Sequence, residues 1–370
     1  MAARTSQKPV RYAVVGLGHI AQVAILPAFA HAKRNSQVVA IVSDDQTKRR
    51  AISKKYGIKA AYSYDEYDTC LEKVDAVYIA LPNSMHAEYT IRAAQAGVHV
   101  LCEKPMAVTS DECERMIEAC GKHRVKLMIA YRLHFERTTL DVIDQVRRGR
   151  IGEPKFFNSS FSLRVRPDNI RTKRSMGGGS LYDIGVYCIN AARALFGAEP
   201  KEVMAVSVNS GAEALEEIDE STGALLRFDG ERVAAFVTSF NAADVGAYRI
   251  VGTKGDVRVN PGYEYVDALG YELTVNGKTK RVRGKKADQF AAELLYFSDC
   301  VREDREPEPS GEEGLQDVRI VQALYESAET GKAVAIPPFE RTKQPDKQQE
   351  ISRPPVKKPE LVKVKSGSRD

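Results

Sequence analysis

Apolar residues along the first 130 positions come in short continuous runs, at 12–15, 38–42, 74–81, 98–102 and 126–130. Such runs, bounded by turn residues, are what strands covered on both faces require. Between them apolar positions recur three and four apart, over 86–96 and 110–123, and predict helices. Strand and helix alternate, so the expected product is a parallel, doubly wound sheet with its ligand crevice at the carboxyl ends of the strands. From about residue 151 the rhythm changes. Runs at 155–163, 203–208, 224–228, 233–240 and 247–252 succeed one another with Gly or Asp turns, interrupted by one long helix expected at 180–196. Consecutive strands of this kind predict an antiparallel sheet. Helical spacing returns at 287–302 and 315–330, while 337–370 has no apolar periodicity and many prolines and lysines. The pattern predicts an α/β Rossmann domain at 1–132, an α+β domain with a large, mostly antiparallel open sheet at 133–336, and an extended arm at 337–370.

Composition narrows the class without changing this picture. The 370 residues are 43% hydrophobic and 28% charged, with no apolar run of membrane-spanning length. A net charge of +5 comes partly from the tail, and no basic stripe interleaved with aromatics argues for nucleic acid. Six cysteines (Cys70, Cys102, Cys113, Cys120, Cys188, Cys300) lack metal-ligand spacing and fit packing thiols in a reducing compartment. No apolar segment resembling a secretory signal precedes the first strand, so the expected location is cytoplasmic. The antiparallel sheet has too few helices to cover both faces, which predicts a homodimer or homotetramer through it.

Candidate chemistry sits where strands end. The first strand breaks into Gly16, Leu17, Gly18, His19, Ile20 and Ala21, a strand–glycine–helix turn suited to a dinucleotide pyrophosphate. Gly16 permits the tight turn and Gly18 lets phosphate approach the backbone. The second strand ends at Ser43, followed by Asp44, Asp45, Lys48, Arg49 and Arg50. A serine leaves room for the 2′-phosphate of NADP and the cations can neutralise it. The other reading, NAD, gives Asp44 the ribose and leaves the cations as a solvated helix turn. By the strand-end rule Leu81, Pro82, Asn83, Glu103 and Lys104 face the cofactor, and Tyr131 and Arg132 emerge at the same crevice. Pro105 keeps Lys104 from starting the next helix.

A second constellation is Gly177-Gly178-Gly179-Ser180-Leu181-Tyr182-Asp183-Ile184-Gly185-Val186-Tyr187. Asp183 and Tyr187, four apart, share one helix face. Two blander readings stand beside a functional one: Ser180 and Asp183 as a capping box, and Tyr187 as a satisfied core tyrosine.

GLGHIA, EKP and GGGSLYDIGVY, in this order and spacing, resemble the glucose-fructose oxidoreductase/inositol dehydrogenase (Gfo/Idh/MocA) family over residues 10–336. The EKPMAVTSDECERMI and KLMIAYRLHF segments, with Tyr187 where most relatives have histidine, place it nearest the glucose-fructose oxidoreductase branch. The resemblance implies Lys104, Asp183 and Tyr187 as catalytic residues. It also implies a pyrophosphate held by Gly16, Leu17, Gly18, His19 and Ile20, with Ser43 and Lys48 at the 2′-phosphate. His86 and Arg171 complete the expected cofactor lining, and Tyr131 and Tyr296 the sugar side. The implied reaction is NADP-dependent hydride transfer at C1 of an aldose, with two sugars coupled through a retained cofactor, and no metal. Two other readings remain: a trans-dihydrodiol dehydrogenase-like enzyme, and a non-catalytic NAD(P)-binding sensor. Asp44 departs from the neutral residue expected beside Ser43.

Overall fold

The computed structural model describes residues 8–368. Its first sheet contains β1 (Val10–Val15), β2 (Ser36–Val42), β3 (Ala60–Tyr62), β4 (Ala76–Ile79), β5 (His99–Glu103) and β6 (Leu127–Ala130). The order is β3-β2-β1-β4-β5-β6, all parallel. Chain direction across the sheet reverses between β1 and β4, and that switch point opens the crevice at the strand ends. Side chains alternate between two cores, which is why the runs are almost wholly apolar, with Asp75, His99 and Lys126 only near their starts. Ala13, Val15, Val77 and Ile79 pack against helices His86–Gln95 and Ser110–His123. A reciprocal capping box between Thr109 and Glu112 fixes the start of the second helix.

The opposite face is closed from far down the chain. Helix Gln289–Arg302 lays Phe290, Leu294, Leu295 and Phe297 against Tyr12, Val14 and Tyr78. The Tyr12 and Ser298 hydroxyls share a 2.7 Å hydrogen bond, and the Asn35 amide donates to the Leu295 carbonyl at 2.8 Å. A helix read with the second domain thus completes the core of the first.

The second sheet holds β7 (Pro154–Arg164), β8 (Pro200–Val208), β9 (Ser221–Phe228), β10 (Arg232–Ser239), β11 (Asn241–Gly252), β12 (Gly255–Val259), β13 (Gly270–Val275), β14 (Lys278–Arg283) and β15 (Val334–Ala335). Their order is β14-β13-β12-β11-β7-β10-β9-β8-β15. Every pair is antiparallel except β7 with β10, because β7 inserts between the successive strands β10 and β11. Strand β14, Lys-Thr-Lys-Arg-Val-Arg, has no alternating apolar pattern and was not foreseeable as a strand; its charges suit an exposed edge.

Helices Arg137–Arg147, Val186–Phe196 and Gly311–Thr330 cover one face of this sheet. The other face presents Met204, Val206, Leu225, Val233 and Val237 to solvent, Val206 being 66% exposed. Register places them side by side, Met204 opposite Leu225 and Val206 opposite Gly223, which in turn faces Val237.

Beneath the covered face lies a charged cluster. The guanidinium of Arg193, fully buried, meets Glu199 at 2.6 Å, Glu313 at 3.1 Å and Asp317 at 2.5 Å. Arg341, from the start of the tail, reaches Glu313 at 2.5 Å. All six cysteines are free and buried. Among the described residues no helix is long and apolar enough to cross a membrane.

Candidate active site

The glycine turn after β1 is shaped by contacts that leave no room for a side chain. Gly16 has φ +93°, and a Cβ there would stand 2.5 Å from the Ala80 carbonyl oxygen. Gly16 N–H donates to the Val42 carbonyl at 2.9 Å and Ala80 N–H to Val15 at 2.8 Å, locking the turn between β2 and β4. A Cβ on Gly18 would meet nothing within 4 Å, the room a pyrophosphate on this turn needs. The helix that follows begins with a wide π-type turn at Ala21–Ile25. Burial lowers the His19 pKa, aided by the charges of Arg171 and Lys358.

At the end of β2, Ser43 is buried. The carboxylate of Asp44 accepts from the Tyr64 amide at 2.8 Å, and that of Asp45 caps helix Gln46–Tyr56 by accepting from the Lys48 amide at 3.0 Å. Arg49, rather than Lys48, is the cation that touches Ser43, donating to its carbonyl. One oxygen of the exposed Asp44 is thereby engaged by the chain.

Lys104 follows β5 directly. Its ammonium donates to the Asp183 main-chain carbonyl at 2.7 Å and to Asp183 Oδ1 at 3.1 Å. Arg171 Nε donates to Asp183 Oδ2 at 2.5 Å. Burial alone would raise the Asp183 carboxyl pKa, but Arg171 and Lys104 overcome it and hold the group at about 2. Burial likewise disfavours the Lys104 ammonium, but the charges of Asp183 and the neighbouring Tyr187 and Glu103 raise its pKa above the usual lysine value. The Lys104 nitrogen lies 4.9 Å from the Tyr187 ring centroid, and the Arg132 guanidinium carbon 5.1 Å from it. Arg132 is itself fixed by the Gln289 side chain and the Tyr263 and Glu264 carbonyls.

Asp183 and Tyr187 reach this point together because Leu181–Gly185 is a π-type turn leading into helix Val186–Phe196. π-type turns inside helices are frequent at functional sites. Gly179 (φ +129°) lets the chain enter the turn where a Cβ would strike the Tyr325 hydroxyl at 2.4 Å. Ser180 is not a cap for Asp183. Its backbone is helical, and its hydroxyl is bound to Asp219 and Thr238, so the capping-box reading fails because both partners are engaged elsewhere.

Several expected site residues stand apart from this cluster. His86 does not face the crevice; it is fully buried, with Nδ1 2.9 Å from the Pro105 carbonyl and Nε2 3.0 Å from the Leu81 carbonyl, so it braces the Lys104 loop from behind. Tyr131 turns its buried hydroxyl towards Asp317, and its ring lines a small, mainly apolar pocket behind Tyr187. Tyr296 packs on Phe135 and accepts from the Glu308 amide at 3.2 Å, two turns along helix Gln289–Arg302 from the Gln289 that holds Arg132. Arg171, expected on the cofactor, instead pairs with Asp183. Asn83 donates to the Gly177 carbonyl at 2.8 Å and so joins the crevice wall to the glycine loop. Glu103 accepts from the Tyr78 hydroxyl at 2.9 Å beneath Lys104.

Sequence reasoning marked Gln289 on its helix but did not find Tyr263 or Glu264, which hold Arg132 with it. The latter two act through main-chain carbonyls, which leave no mark in side-chain identity. Among the described residues no group of three or more His, Cys, Asp or Glu could hold a metal ion.

Comparison with known proteins fits this architecture. Residues 10–131 match the model of an oxidoreductase family with an NAD-binding Rossmann fold, and 143–336 match that family's C-terminal alpha/beta domain. The chain is 32% identical over 339 residues to D-xylose 1-dehydrogenase [NADP(+)] of Haloarcula marismortui, covering 90% of this chain and 94% of the relative. It superposes on the crystal structure of aldose-aldose oxidoreductase from Caulobacter crescentus, complexed with glycerol, with TM-score 0.85 and 36% identity, covering 89% and 100% of the two chains. A 3-ketoreductase from Actinomadura kijaniata in complex with NADP and TDP-benzene gives 0.79 and 28%, covering 86% and 98%. With both of its domains matched in order, the chain belongs to the glucose-fructose oxidoreductase/inositol dehydrogenase (Gfo/Idh/MocA) family of oxidoreductases.

Proposed function

We propose that the protein is an NADP-dependent sugar oxidoreductase acting at C1 of an aldose. The observation that carries this reading is the set of charged groups converging on the Tyr187 ring: Lys104, Arg132 and, behind them, Asp183 with Arg171. When bound, the nicotinamide supplies or accepts the hydride at C4. Tyr187 takes the proton of the anomeric hydroxyl during oxidation and returns it during reduction. Lys104 and Arg132 stabilise the negative charge that develops on its oxygen, in a half-buried site where such charges count for more than in water. Asp183 has both carboxylate oxygens committed to cations, so it orients Lys104 rather than taking a proton. Ser43 and Arg49 suit a 2′-phosphate, and the D-xylose dehydrogenase and 3-ketoreductase relatives both use or bind NADP. Coupling of two sugars on a retained cofactor is supported by likeness to the aldose-aldose oxidoreductase. The uncovered apolar face of the second sheet suits a second copy of the chain, so we also propose a homodimer through it.

The test is absorbance near 340 nm, the band of reduced nicotinamide, with a panel of aldoses. Reduction of the cofactor by one sugar and its reoxidation by another, without release, is the expected result. Tyr187→Phe and Lys104→Ala should each lower kcat at least about hundredfold. No spectral change with any aldose, or near wild-type turnover in either variant, refutes the assignment.

A further inference from the structure

The tail does more than end the chain. After the turn at Lys347–Gln349 it returns to the nucleotide half and crosses the elements that frame the crevice. The Glu360 carbonyl accepts from Lys55 at 2.7 Å. Val362 makes two main-chain hydrogen bonds with the buried side chain of Gln22, its N–H donating at 2.7 Å and its carbonyl accepting at 3.0 Å. The same Gln22 amide donates to the Leu17 carbonyl at 2.9 Å, so one side chain joins the tail to the glycine turn. Lys363 donates to Thr47 Oγ1 at 3.0 Å and lies 3.8 Å from Asp45, in the first turn of the helix after Ser43. The tail then leaves the nucleotide half for the loop that carries Arg171. Arg166 N–H donates to the Gly367 carbonyl at 3.0 Å, and Val165 bridges to Ser368. Gly367 rests on Arg171, whose nitrogen would lie 2.0 Å from a Cβ at that position.

Contacts on both banks of the crevice define a strap. We propose that residues 356–368 close over the bound dinucleotide and that Lys363 supplies an ammonium to its 2′-phosphate, selecting NADP over NAD and retaining the cofactor between turnovers. The inference rests on the proposed NADP site and extends it with a residue far outside the nucleotide half. Lys363 is one of few non-glycine residues in the left-handed region, at φ +48°, a conformation that the paired hydrogen bonds of Val362 to Gln22 hold in place. Its side chain stays 57% exposed, open to an incoming phosphate. The helix after β2 already carries Lys48 and Arg49, and Arg49 is bound to the Ser43 carbonyl, which leaves Lys363 a distinct cation at the same spot.

The experiment compares the full chain with Lys363→Ala, Lys363→Arg and a chain ending at Pro355, by the release rates of NADPH and NADH followed in stopped-flow fluorescence. Lys363→Ala should release NADPH about tenfold faster, the scale of one charge-assisted contact, with NADH unchanged. Lys363→Arg should restore slow release, and the shortened chain should release both cofactors faster. If the full chain binds NADPH but Lys363→Ala releases it at the parent rate, the cation assignment is wrong; if the folded shortened chain also does, there is no strap. A full chain that binds neither cofactor overturns the NADP site itself, and the strap with it.

Discussion

Replacing Asp183 by Asn tests the electrostatic arrangement without altering its shape. The carboxyl sits at about 2 in the folded chain against an ordinary 3.8, because Arg171 and Lys104 outweigh burial. At 1.36 kcal/mol for each pH unit between those values, its ionised form contributes about 2 kcal/mol at pH 7. A carboxyl with a depressed pKa gives this stability above 3.8 and loses it as pH falls towards 2; at pH 3 about half should remain. In Asp183→Asn the contribution is gone and two cations face each other without their counter-ion, so the expected loss at pH 7 is about 2–4 kcal/mol. Urea unfolding at pH 7 and pH 3 measures it, and the gap between parent and variant should narrow in acid. The same variant should change catalysis in a particular direction. With the negative charge removed, burial and Arg171 both favour a neutral Lys104, so the alkaline limb of kcat/KM should move to lower pH. A variant within about 0.5 kcal/mol of the parent at pH 7, with an unmoved alkaline limb, would refute the role assigned to Asp183.

Two further substitutions probe the scaffold. Gly16→Ala should lose about 2 kcal/mol or more of stability and bind nucleotide poorly, since the new Cβ collides with Ala80 and the φ of +93° is unsuited to alanine; thermal melts and cofactor titration read both effects. The pair Val206→Glu and Val237→Glu should convert a dimer to a monomer by light scattering while leaving the chain folded by circular dichroism, because neither side chain packs in the chain's own core; an unchanged mass would move the interface elsewhere.

The nucleotide half was readable because its strands are buried on both sides, and a run such as 74–81 can hardly be anything else. Helix Ser110–His123 has the bounds expected from spacing, with Thr109 and Glu112 closing its start. Convergence of Lys104, Asp183 and Tyr187 was anticipated from motif order, and the structure brings them together. What could not be read depends on direction rather than identity. Tyr131 emerges at a strand end, yet its hydroxyl follows the buried Asp317 instead of the crevice. His86 begins a helix near the cofactor side, but two carbonyls claim its ring. Tyr296 shares a helix face with Gln289, which binds Arg132, but sits two turns further along it, where its hydroxyl meets the Glu308 amide instead. Strands β12 to β14 escaped because an edge hairpin with one wet face carries little apolar signal. The tail escaped for the opposite reason: its order comes from main-chain hydrogen bonds to distant side chains such as Gln22, which no local pattern encodes.

Helix Val186–Phe196 bears Tyr187 in its first turn and Arg193 near its end, and the Arg193 cluster rivets that end to helix Gly311–Thr330. The phenol is therefore placed by a buried anchor some two turns away. The glycine-rich approach at Gly177–Gly179 and the far end of this helix are held by separate contacts, so a change in one need not displace the Tyr187 ring fixed by the other.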